Sequence, residues 1–289
     1  MKELAFQYGS NTWHLGKTPL IMGVVNMTPD SFSDGGELND RTEEAVRTCL
    51  RMEAAGAAII DIGGESTRPG AAAVSADEEQ RRILPLIRTV APRLSVPVSI
   101  DTQKAAVAES ALKAGAQIVN DVSGFHRDPA MMGVVRTHSA GGIVMHMRGT
   151  PKTMQHHTEY ADLVEEIYAY LADILARAAA AEIAEEHIIV DPGIGFGKTA
   201  EQNLALIGSL HRFRELGRPV LVGPSRKSFI GKLLSIEDPQ QRIWGTAGAV
   251  AASVVYGADI IRVHDVAEMR EVSNVAAAIR EAAESAERC

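Results

Sequence analysis

The stretch Ala58-Ile-Ile-Asp-Ile62, which runs directly into Gly63-Gly-Glu-Ser-Thr-Arg-Pro-Gly70, decides the fold. Its first part is a short β-branched run that does not alternate between apolar and polar residues. Such runs are typical of parallel strands that helices cover on both faces. A strand with one solvent-exposed face would instead alternate apolar and polar residues. Its second part is a polar, glycine-containing loop, of the kind that carries functional groups in α/β proteins. The stretch therefore predicts a parallel sheet with a functional loop at the carboxyl end of a strand.

The same pattern recurs along the chain, with helical patterns between its copies. We predict strands at Leu20–Val25, Ala58–Ile62, Val96–Ile100, Gln117–Val119, Gly142–Met145, Ile188–Val190, Pro219–Val222 and Asp259–Val263. Helical patterns cover Arg41–Ala55, Asp77–Ala91, Gln103–Ala114, Thr158–Ala181, Ala200–Leu216 with a break near Gly208, Lys227–Leu234, Pro239–Tyr256 and Val266–Arg288. Strands that alternate with helical connections in this number predict an α/β fold, a (β/α)8 TIM barrel.

The residues before the first strand form a separate small element. Gly9-Ser10-Asn11 is a turn signal between two β-like runs, so residues 1–18 are expected to form a hairpin at the bottom of the barrel. No linker or shift in composition divides the chain, which predicts one domain over 1–289 with the barrel over 19–289. Asp77 and Thr158 are the expected N-caps of their helices.

Composition and charge narrow the class of protein. Of the 289 residues 46% are apolar and 23% are charged, with a mean hydropathy of −0.02. A net charge of −8 argues against broad nucleic-acid binding, which needs a basic surface. Two cysteines, Cys49 and Cys289, are too few for a disulfide framework, which favours a reducing cytoplasm. The N-terminus lacks the apolar core of a signal peptide. The apolar stretch Trp244–Ile261 is better explained as a buried helix followed by a core strand than as a membrane span.

Polar residues stand at the end of every predicted strand. They are Asn26, Asp61, Asp101, Asn120 with Asp121, His146, Asp191, Ser225 with Arg226 and Lys227, and Arg262 with His264. One such residue is usually a loop start or a helix cap. In a barrel, however, all of these positions meet at the carboxyl face, where the loops build the active site. We therefore expect one shared active face that combines carboxylates, amides and cations.

Two loops suggest the kind of ligand. The stretch Asp191–Thr199 lacks the spacing of a phosphate loop, so its glycines more simply let the backbone approach a flat ligand beside Asp191. Ser225-Arg-Lys-Ser228 falls where TIM barrels often hold phosphate, and Arg262 and His264 alternate along the last strand, so both can face one side. These cations predict an anion site, although Arg226 alone could be a solvated charge. His156 and His157 have no third metal ligand at a diagnostic spacing.

Seven motifs in order resemble one family, the dihydropteroate synthases. They are Asn26-Met-Thr-Pro-Asp-Ser-Phe-Ser-Asp-Gly-Gly36, Asp61-Ile-Gly-Gly-Glu-Ser-Thr-Arg-Pro-Gly70, Ser99-Ile-Asp-Thr102, Asn120-Asp-Val-Ser-Gly124, Asp191-Pro-Gly-Ile-Gly-Phe196, Ser225-Arg-Lys-Ser-Phe229 and Arg262-Val-His264. Each motif alone is moderately specific, but the set spans about residues 20 to 270 with no departure at a motif position.

The resemblance implies a role for each matching residue. The expected pterin site is Asp101, Asn120, Met145, Asp191, Gly223, Lys227 and Arg262. The expected p-aminobenzoate pocket is Phe32, Thr67, Arg68, Pro69, Phe196 and Ser228. The diphosphate contacts implied are Asn26, Arg68, Arg262 and His264, with Asn26 also the protein ligand of Mg²⁺. Asp101, Lys227, Arg262 and His264 are the residues expected to carry catalysis.

The resemblance also implies a reaction. The family joins 6-hydroxymethyl-7,8-dihydropterin diphosphate to p-aminobenzoate, giving 7,8-dihydropteroate and pyrophosphate, and sulfonamides compete for the p-aminobenzoate pocket. It further implies a cytoplasmic homodimer with small-molecule partners. One alternative is a pterin-binding methyltransferase acting on a methylated tetrahydrofolate, which would not need the anion-directed motifs. The other is a barrel that binds pterin without catalysis, and magnesium-dependent release of pyrophosphate distinguishes it from an enzyme.

Overall fold

The computed structural model describes residues 3–28, 38–67 and 70–286. The chain begins with a hairpin of β1 (Leu4–Tyr8) and β2 (Asn11–Leu15), which pair antiparallel. The parallel strands that follow are β3 Leu20–Asn26, β4 Ile59–Gly63, β5 Val98–Asp101, β6 Ile118–Asp121, β7 Gly141–Met145, β8 Ile188–Asp191, β9 Leu221–Val222 and β10 Ile260–Val263. The predicted hairpin and all of the predicted strands are confirmed.

The parallel strands form a barrel. Strands β3 to β8 pair with their neighbours in chain order, and β10 lies between β3 and β9. A bridge between Val190 and Val220, with a hydrogen bond of 3.0 Å from the Val190 amide to the Pro219 carbonyl, joins the two remaining ends. The prediction of a TIM barrel is therefore confirmed, and the carboxyl ends of its strands share one rim.

Helices connect the strands on the outside of the barrel. They are α1 Leu38–Ala54, α2 Ala76–Val90, α3 Ala105–Lys113, α4 Met131–Thr137, α5 Leu163–Ala180, α6 Ala200–Gly208, α7 Leu210–Arg214, α8 Ser228–Leu234, α9 Ile243–Val255 and α10 Val266–Ala286. Short 3-10 turns cover Met154–His156, Glu185–His187 and Pro239–Arg242. Helix α4 is short and was not predicted from the sequence. The expected break near Gly208 separates α6 from α7. No helix among the described residues is long and apolar enough to cross a membrane.

Two predicted N-caps are wrong. Helix α2 is capped by Ser75, whose hydroxyl accepts from the Glu78 amide at 3.2 Å, rather than by Asp77. Helix α5 is capped by Asp162, which accepts from the Glu165 amide, rather than by Thr158. In both cases an equally good capping side chain stands a few residues away, and the backbone path decides which one reaches the free amide.

The hairpin closes the amino-terminal end of the barrel. Phe6, Tyr8 and Leu15 are buried against inward-facing residues of the strands, in one apolar cluster. Those strand residues are Met22, Ile59, Ile118, Ile143, Ile189, Leu221 and Ile260. Gly141 at the start of β7 permits this contact, because a Cβ there would lie 2.5 Å from Cζ of Phe6. The lower half of the barrel is thus a packed core, and only the upper half is free to carry chemistry.

Candidate active site

The functional residues continue the inward-facing rows of the strands. Side chains two positions apart on a strand point to the same side. Two positions after interior apolar residues of β4 and β6 to β10 come Asp61, Asn120, Met145, Asp191, Gly223 and Arg262. On β5 Asp101 stands at its end, and Asn26 ends β3 four positions after the interior residue Met22. The barrel therefore brings the predicted pterin residues together at the upper mouth.

Arg262 joins two carboxylates at the centre of this site. Its Nε donates to Oδ2 of Asp61 at 2.7 Å, and its Nη2 donates to Oδ2 of Asp101 at 2.8 Å. Asn120 Nδ2 also donates to Oδ2 of Asp61, at 3.1 Å. The other oxygen of Asp61 is buried and has no hydrogen-bond partner among the described residues. Asp61 was expected on the active face as a strand-end carboxylate, but no contact of its own was assigned to it. Its inward position on an apolar strand is the signal for such a contact.

Burial controls the protonation of the carboxylates. It raises the pKa of Asp101 to about 7, although the Arg262 guanidinium acts in the opposite direction. Burial likewise raises the pKa of Asp191 to about 6, while the hydrogen bond from the Gly193 amide lowers it. These two groups change charge close to neutral pH, which is common in active sites.

Lys227 lies close enough to Asp191 for their charges to interact. Burial lowers the pKa of Lys227 to about 8, and the nearby Arg262 acts in the same direction. Its Nζ lies 4.0 Å from the centre of the Phe196 ring, a cation–π contact. Phe196 and Met145 belong to one small buried apolar cluster, which forms a wall beside the polar groups. An apolar cluster and several charged groups therefore border the same site. This combination is typical of sites that bind small molecules.

His264 contacts Ser225, which was expected on the active face but without an individual role. The Ser225 hydroxyl accepts from the backbone amide of His264 at 3.3 Å and lies 2.9 Å from its Nδ1. Burial lowers the pKa of His264 to about 3, so its ring is neutral. Arg226 is paired bidentately with Asp265 and is neither a solvated charge nor a free cation for an anion site. Of the residues expected at the anion site, Arg262 and Lys227 therefore supply positive charge, and His264 supplies a neutral ring.

The remaining predicted residues lie at the rim. Thr67 is half-buried and Ser228 is exposed at the start of α8. Phe32, Arg68 and Pro69 lie outside the described residues. No group of three or more His, Cys, Asp or Glu side chains in the described part of the chain could hold a metal ion, and Asn26 stands beside Asp101 with only Gly63 between them.

The fold and the site together define a pterin-binding TIM-barrel enzyme, and comparisons with known proteins agree. The family model "Pterin binding enzyme" matches residues 22–264. A dihydropteroate synthase of Synechocystis sp. is 48% identical over 94% of this chain and 93% of its own length. On this similarity the chain belongs to the dihydropteroate synthases, transferases of folate biosynthesis.

Solved structures support the same assignment. The structure of Xanthomonas albilineans dihydropteroate synthase with 4-aminobenzoic acid has a TM-score of 0.89 and 39% identity, over 96% of this chain and 99% of that one. The Yersinia pestis dihydropteroate synthase in complex with a sulfonamide drug has a TM-score of 0.90 and 41% identity, over 96% and 100%. The family expectation is thus confirmed over nearly the full length, and it excludes the methyltransferase alternative.

Proposed function

We propose that the chain joins 6-hydroxymethyl-7,8-dihydropterin diphosphate to p-aminobenzoate by dissociative substitution. The observation that carries this mechanism is the arrangement of charge around Arg262. Two buried carboxylates, Asp61 and Asp101, pair with its guanidinium. His264, directly after β10, and Lys227, directly before α8, lie close enough to Arg262 for their charges to interact. The carboxylates would stabilise a cationic pterin intermediate, and the charges of Arg262 and Lys227, with a hydrogen bond from the neutral His264 ring, would stabilise the anionic leaving group.

The pterin ring is proposed to lie over Asp101, Asn120 and Asp191. A pterin has an edge of donors and acceptors like that of guanine, and buried carboxylates accept its N–H groups. Leaving one of these buried polar groups without its partner costs about 1–3 kcal/mol, which makes the edge specific. Met145, Gly223, Lys227 and Arg262 complete the pterin site, with Met145 packed in the apolar wall.

Magnesium fits the donors present. The Asn26 amide supplies one hard oxygen, and a Cβ at Gly63 would lie 3.5 Å from Oδ1 of Asn26 and 3.7 Å from Oδ2 of Asp101. The absence of that Cβ leaves space between the two side chains. Mg²⁺ takes few protein ligands when phosphate oxygens and water complete its octahedron, so Asn26 with the diphosphate suffices. Bound there, Mg²⁺ would neutralise negative charge on the leaving diphosphate.

The bonds change in two stages. The bond between the pterin methylene carbon and the diphosphate oxygen breaks first, and its electron pair leaves with the diphosphate. Arg262 and His264 stabilise that anion, and Asp101 stabilises the pterin cation. The lone pair of the arylamine nitrogen then forms the new C–N bond, and the proton lost from nitrogen passes to solvent. Thr67, Phe196 and Ser228, with Phe32, Arg68 and Pro69, are proposed to hold the arylamine.

A homodimer is proposed from the outer surface. Large apolar side chains are exposed on the last three helices and the turns beside them, and Trp244 is 84% exposed. The others are Leu233, Leu234, Val255, Tyr256, Val275 and Ile279. Exposed apolar side chains in such number are typical of a surface that a partner covers. The cytoplasmic location, which the low cysteine content favours, is likewise a proposal.

The release of pyrophosphate tests the proposed reaction. The purified chain is given the pterin diphosphate with and without Mg²⁺, and with and without p-aminobenzoate. We expect steady release of pyrophosphate and formation of 7,8-dihydropteroate only when both additions are present. If no pyrophosphate appears under any condition, the protein does not catalyse this reaction. Release that does not depend on Mg²⁺ would overturn the metal assignment alone.

A further inference from the structure

The loop after β8, residues 192–199, contains a buried lysine that has no part in the proposed reaction. This side chain hydrogen-bonds to the backbone of its own loop. Lys198 is 4% exposed. Its Nζ donates to the carbonyl oxygens of Gly193 and Phe196, each at 2.9 Å, and lies 3.1 Å from Nδ1 of His146. These three acceptors match the three hydrogens of an ammonium group. A buried ammonium group is costly unless it is fully hydrogen-bonded, so this set of contacts fixes the loop in one conformation.

His146 completes the set because its ring is neutral. Burial lowers its pKa to about 2, and the charge of Lys198 acts in the same direction. Nδ1 is therefore an acceptor for Nζ of Lys198, whose own pKa is lowered by burial to about 7. The carbonyl oxygen of His146 also contacts the loop closely, since a Cβ at Gly193 would lie 2.0 Å from it. The loop backbone thus packs directly against the residue after β7, and the contact between Lys198 and His146 holds the loop in that position.

The side chain of Asn203 also hydrogen-bonds to the backbone of this loop, from the following helix. Asn203 on α6 accepts from the Gly195 amide through Oδ1 at 2.6 Å and donates from Nδ2 to the Thr199 carbonyl at 2.7 Å. It is 2% exposed. Lys198 and Asn203 therefore hold the loop at different points along its backbone.

The loop determines where two site residues lie. Phe196 extends from it, and its ring lies 4.0 Å from Nζ of Lys227. The Gly195 backbone also packs against the Lys227 side chain, because a Cβ at that position would lie 2.8 Å from Cδ of Lys227. A shift of the loop would move the Phe196 ring and free the Lys227 stem together.

We propose that Lys198 is a positioning residue for the arylamine half of the reaction. By fixing the loop after β8, it places the Phe196 ring and the Lys227 side chain where p-aminobenzoate and the reacting carbon meet. This inference rests on the proposed function, in which Phe196 and Lys227 contact the substrates. Asp101, Asn120 and Asp191 lie on strands of the barrel, so the binding of the pterin depends much less on the loop.

Three variants test the proposal by steady-state kinetics. Lys198→Met removes the ammonium group but keeps much of the volume, and Asn203→Ala releases the loop at its other attachment. We expect kcat/KM for p-aminobenzoate to fall by about 10- to 100-fold in K198M, the effect of a displacement near 1 Å. KM for the pterin diphosphate should rise by a smaller factor, less than about tenfold, because a loop shift disturbs Lys227 but leaves the pterin contacts on the strands in place. N203A should show the same asymmetry with a smaller magnitude.

Arg280→Met is the matched control. Arg280 is also a buried cation that donates to backbone carbonyls, those of Val254, Gly16 and Lys17, but at the amino-terminal end of the barrel. Its removal should lower stability and leave the KM of both substrates unchanged. A K198M variant that behaves like R280M would overturn the proposal, because the role of Lys198 would then be structural only. If K198M does not fold, an unchanged KM for p-aminobenzoate in N203A overturns it instead. Failure of the proposed function can be distinguished from failure of this proposal, because in that case the wild-type protein itself would release no pyrophosphate.

Discussion

Asp61 and Arg262 are 201 residues apart in the chain, yet Nε of Arg262 donates to Oδ2 of Asp61 over 2.7 Å. Their strands, β4 and β10, lie on either side of β3 and pair with it. The contact therefore exists only when the last strand closes onto the first. The same guanidinium reaches Asp101 on β5, so one side chain at the end of the chain organises the carboxylates of two earlier strands.

Arg262→Met should weaken both stability and activity. The substitution leaves the Asp61 and Asp101 carboxylates close together without a counter-charge, and Asp61 is fully buried. Removing one partner of a buried ion pair costs about 3–5 kcal/mol in free energy of unfolding. Urea denaturation measures that loss, and turnover should fall by about 100-fold or more because the leaving-group cation is gone. A stability within about 1 kcal/mol of wild type would mean that solvent replaces the guanidinium without cost.

Activity should follow a narrow bell-shaped dependence on pH. The proposed mechanism needs Asp101 as a carboxylate, and its pKa of about 7 places the acidic limb there. It also needs Lys227 as an ammonium group, and its pKa of about 8 places the alkaline limb there. As pH rises kcat/KM for the pterin diphosphate should therefore increase through pH 7 and decrease above pH 8. In Asp101→Asn the lower limb should move towards the Asp191 value of about 6, and a wild-type profile that is flat across this range contradicts the assignment.

Lys104→Met should destabilise the loop after β4. Lys104 Nζ lies 2.7 Å from Oε2 of Glu65 in that loop and 2.6 Å from Oε2 of Glu79, whose side chain is fully buried. Without the ammonium group, two carboxylates face each other at a buried position, which costs about 3–5 kcal/mol. Lys113→Met is the control, because Lys113 pairs with Glu109 on an exposed surface where such a pair contributes about 0–1 kcal/mol. Equal effects of the two substitutions on the denaturation midpoint would refute this account.

Gly63→Ala should alter the magnesium requirement without unfolding the protein. The new Cβ would lie 3.4–3.7 Å from atoms of Asn26 and Asp101, which is ordinary contact, but it would fill the space between them. We expect the Mg²⁺ concentration for half-maximal activity to rise by about tenfold, with stability nearly unchanged. Gly64→Ala is the contrast, because its Cβ would lie 2.8 Å from Cγ2 of Ile83 and should lower stability instead. An unaltered magnesium dependence in G63A places the ion elsewhere.

Gly141→Ala should loosen the hairpin at the opposite end. The Cβ would lie 2.5 Å from Cζ of Phe6, so the hairpin or the strand must move, at a cost of about 1–3 kcal/mol. Gly133→Ala is the matched substitution, since nothing lies within 4 Å of its Cβ and it stands inside α4. That change should stabilise by about 0.5–1 kcal/mol, because alanine is the better helix former. Thermal unfolding of the two variants should shift in opposite directions, and a parallel shift would speak against the packing at Phe6.

The sequence predicts where a side chain points when strand geometry alone decides it. Asp101, Asn120, Asp191 and Arg262 follow apolar runs, and the two-residue period of a strand places their side chains inside the barrel. Gly223 stands two positions after the interior residue Leu221, and its predicted role came from the family resemblance. These residues need no knowledge of tertiary contacts beyond the barrel itself.

Contacts between distant elements could not be predicted from the sequence. That Arg262 pairs with Asp61, or Arg226 with Asp265, depends on strand register and on which rotamers the packing allows. Lys198 lies in the glycine-rich stretch Asp191–Thr199, and nothing in the sequence distinguishes a buried lysine from an exposed one. The caps Ser75 and Asp162 were missed for the same reason, because equivalent side chains stand a few residues away.

The hairpin packed into the amino-terminal mouth has a consequence for the order of events. Phe6 and its neighbours close the amino-terminal end of the barrel, so ligands enter and leave through the carboxyl-terminal rim. Under the proposed function the pterin contacts strand residues, which lie deeper than the loop residues proposed for the arylamine. An arylamine that already occupied the rim would then block the path of the pterin. We therefore expect sequential loading, with the heterocycle first and the amine second, and release of the joined product amine end first.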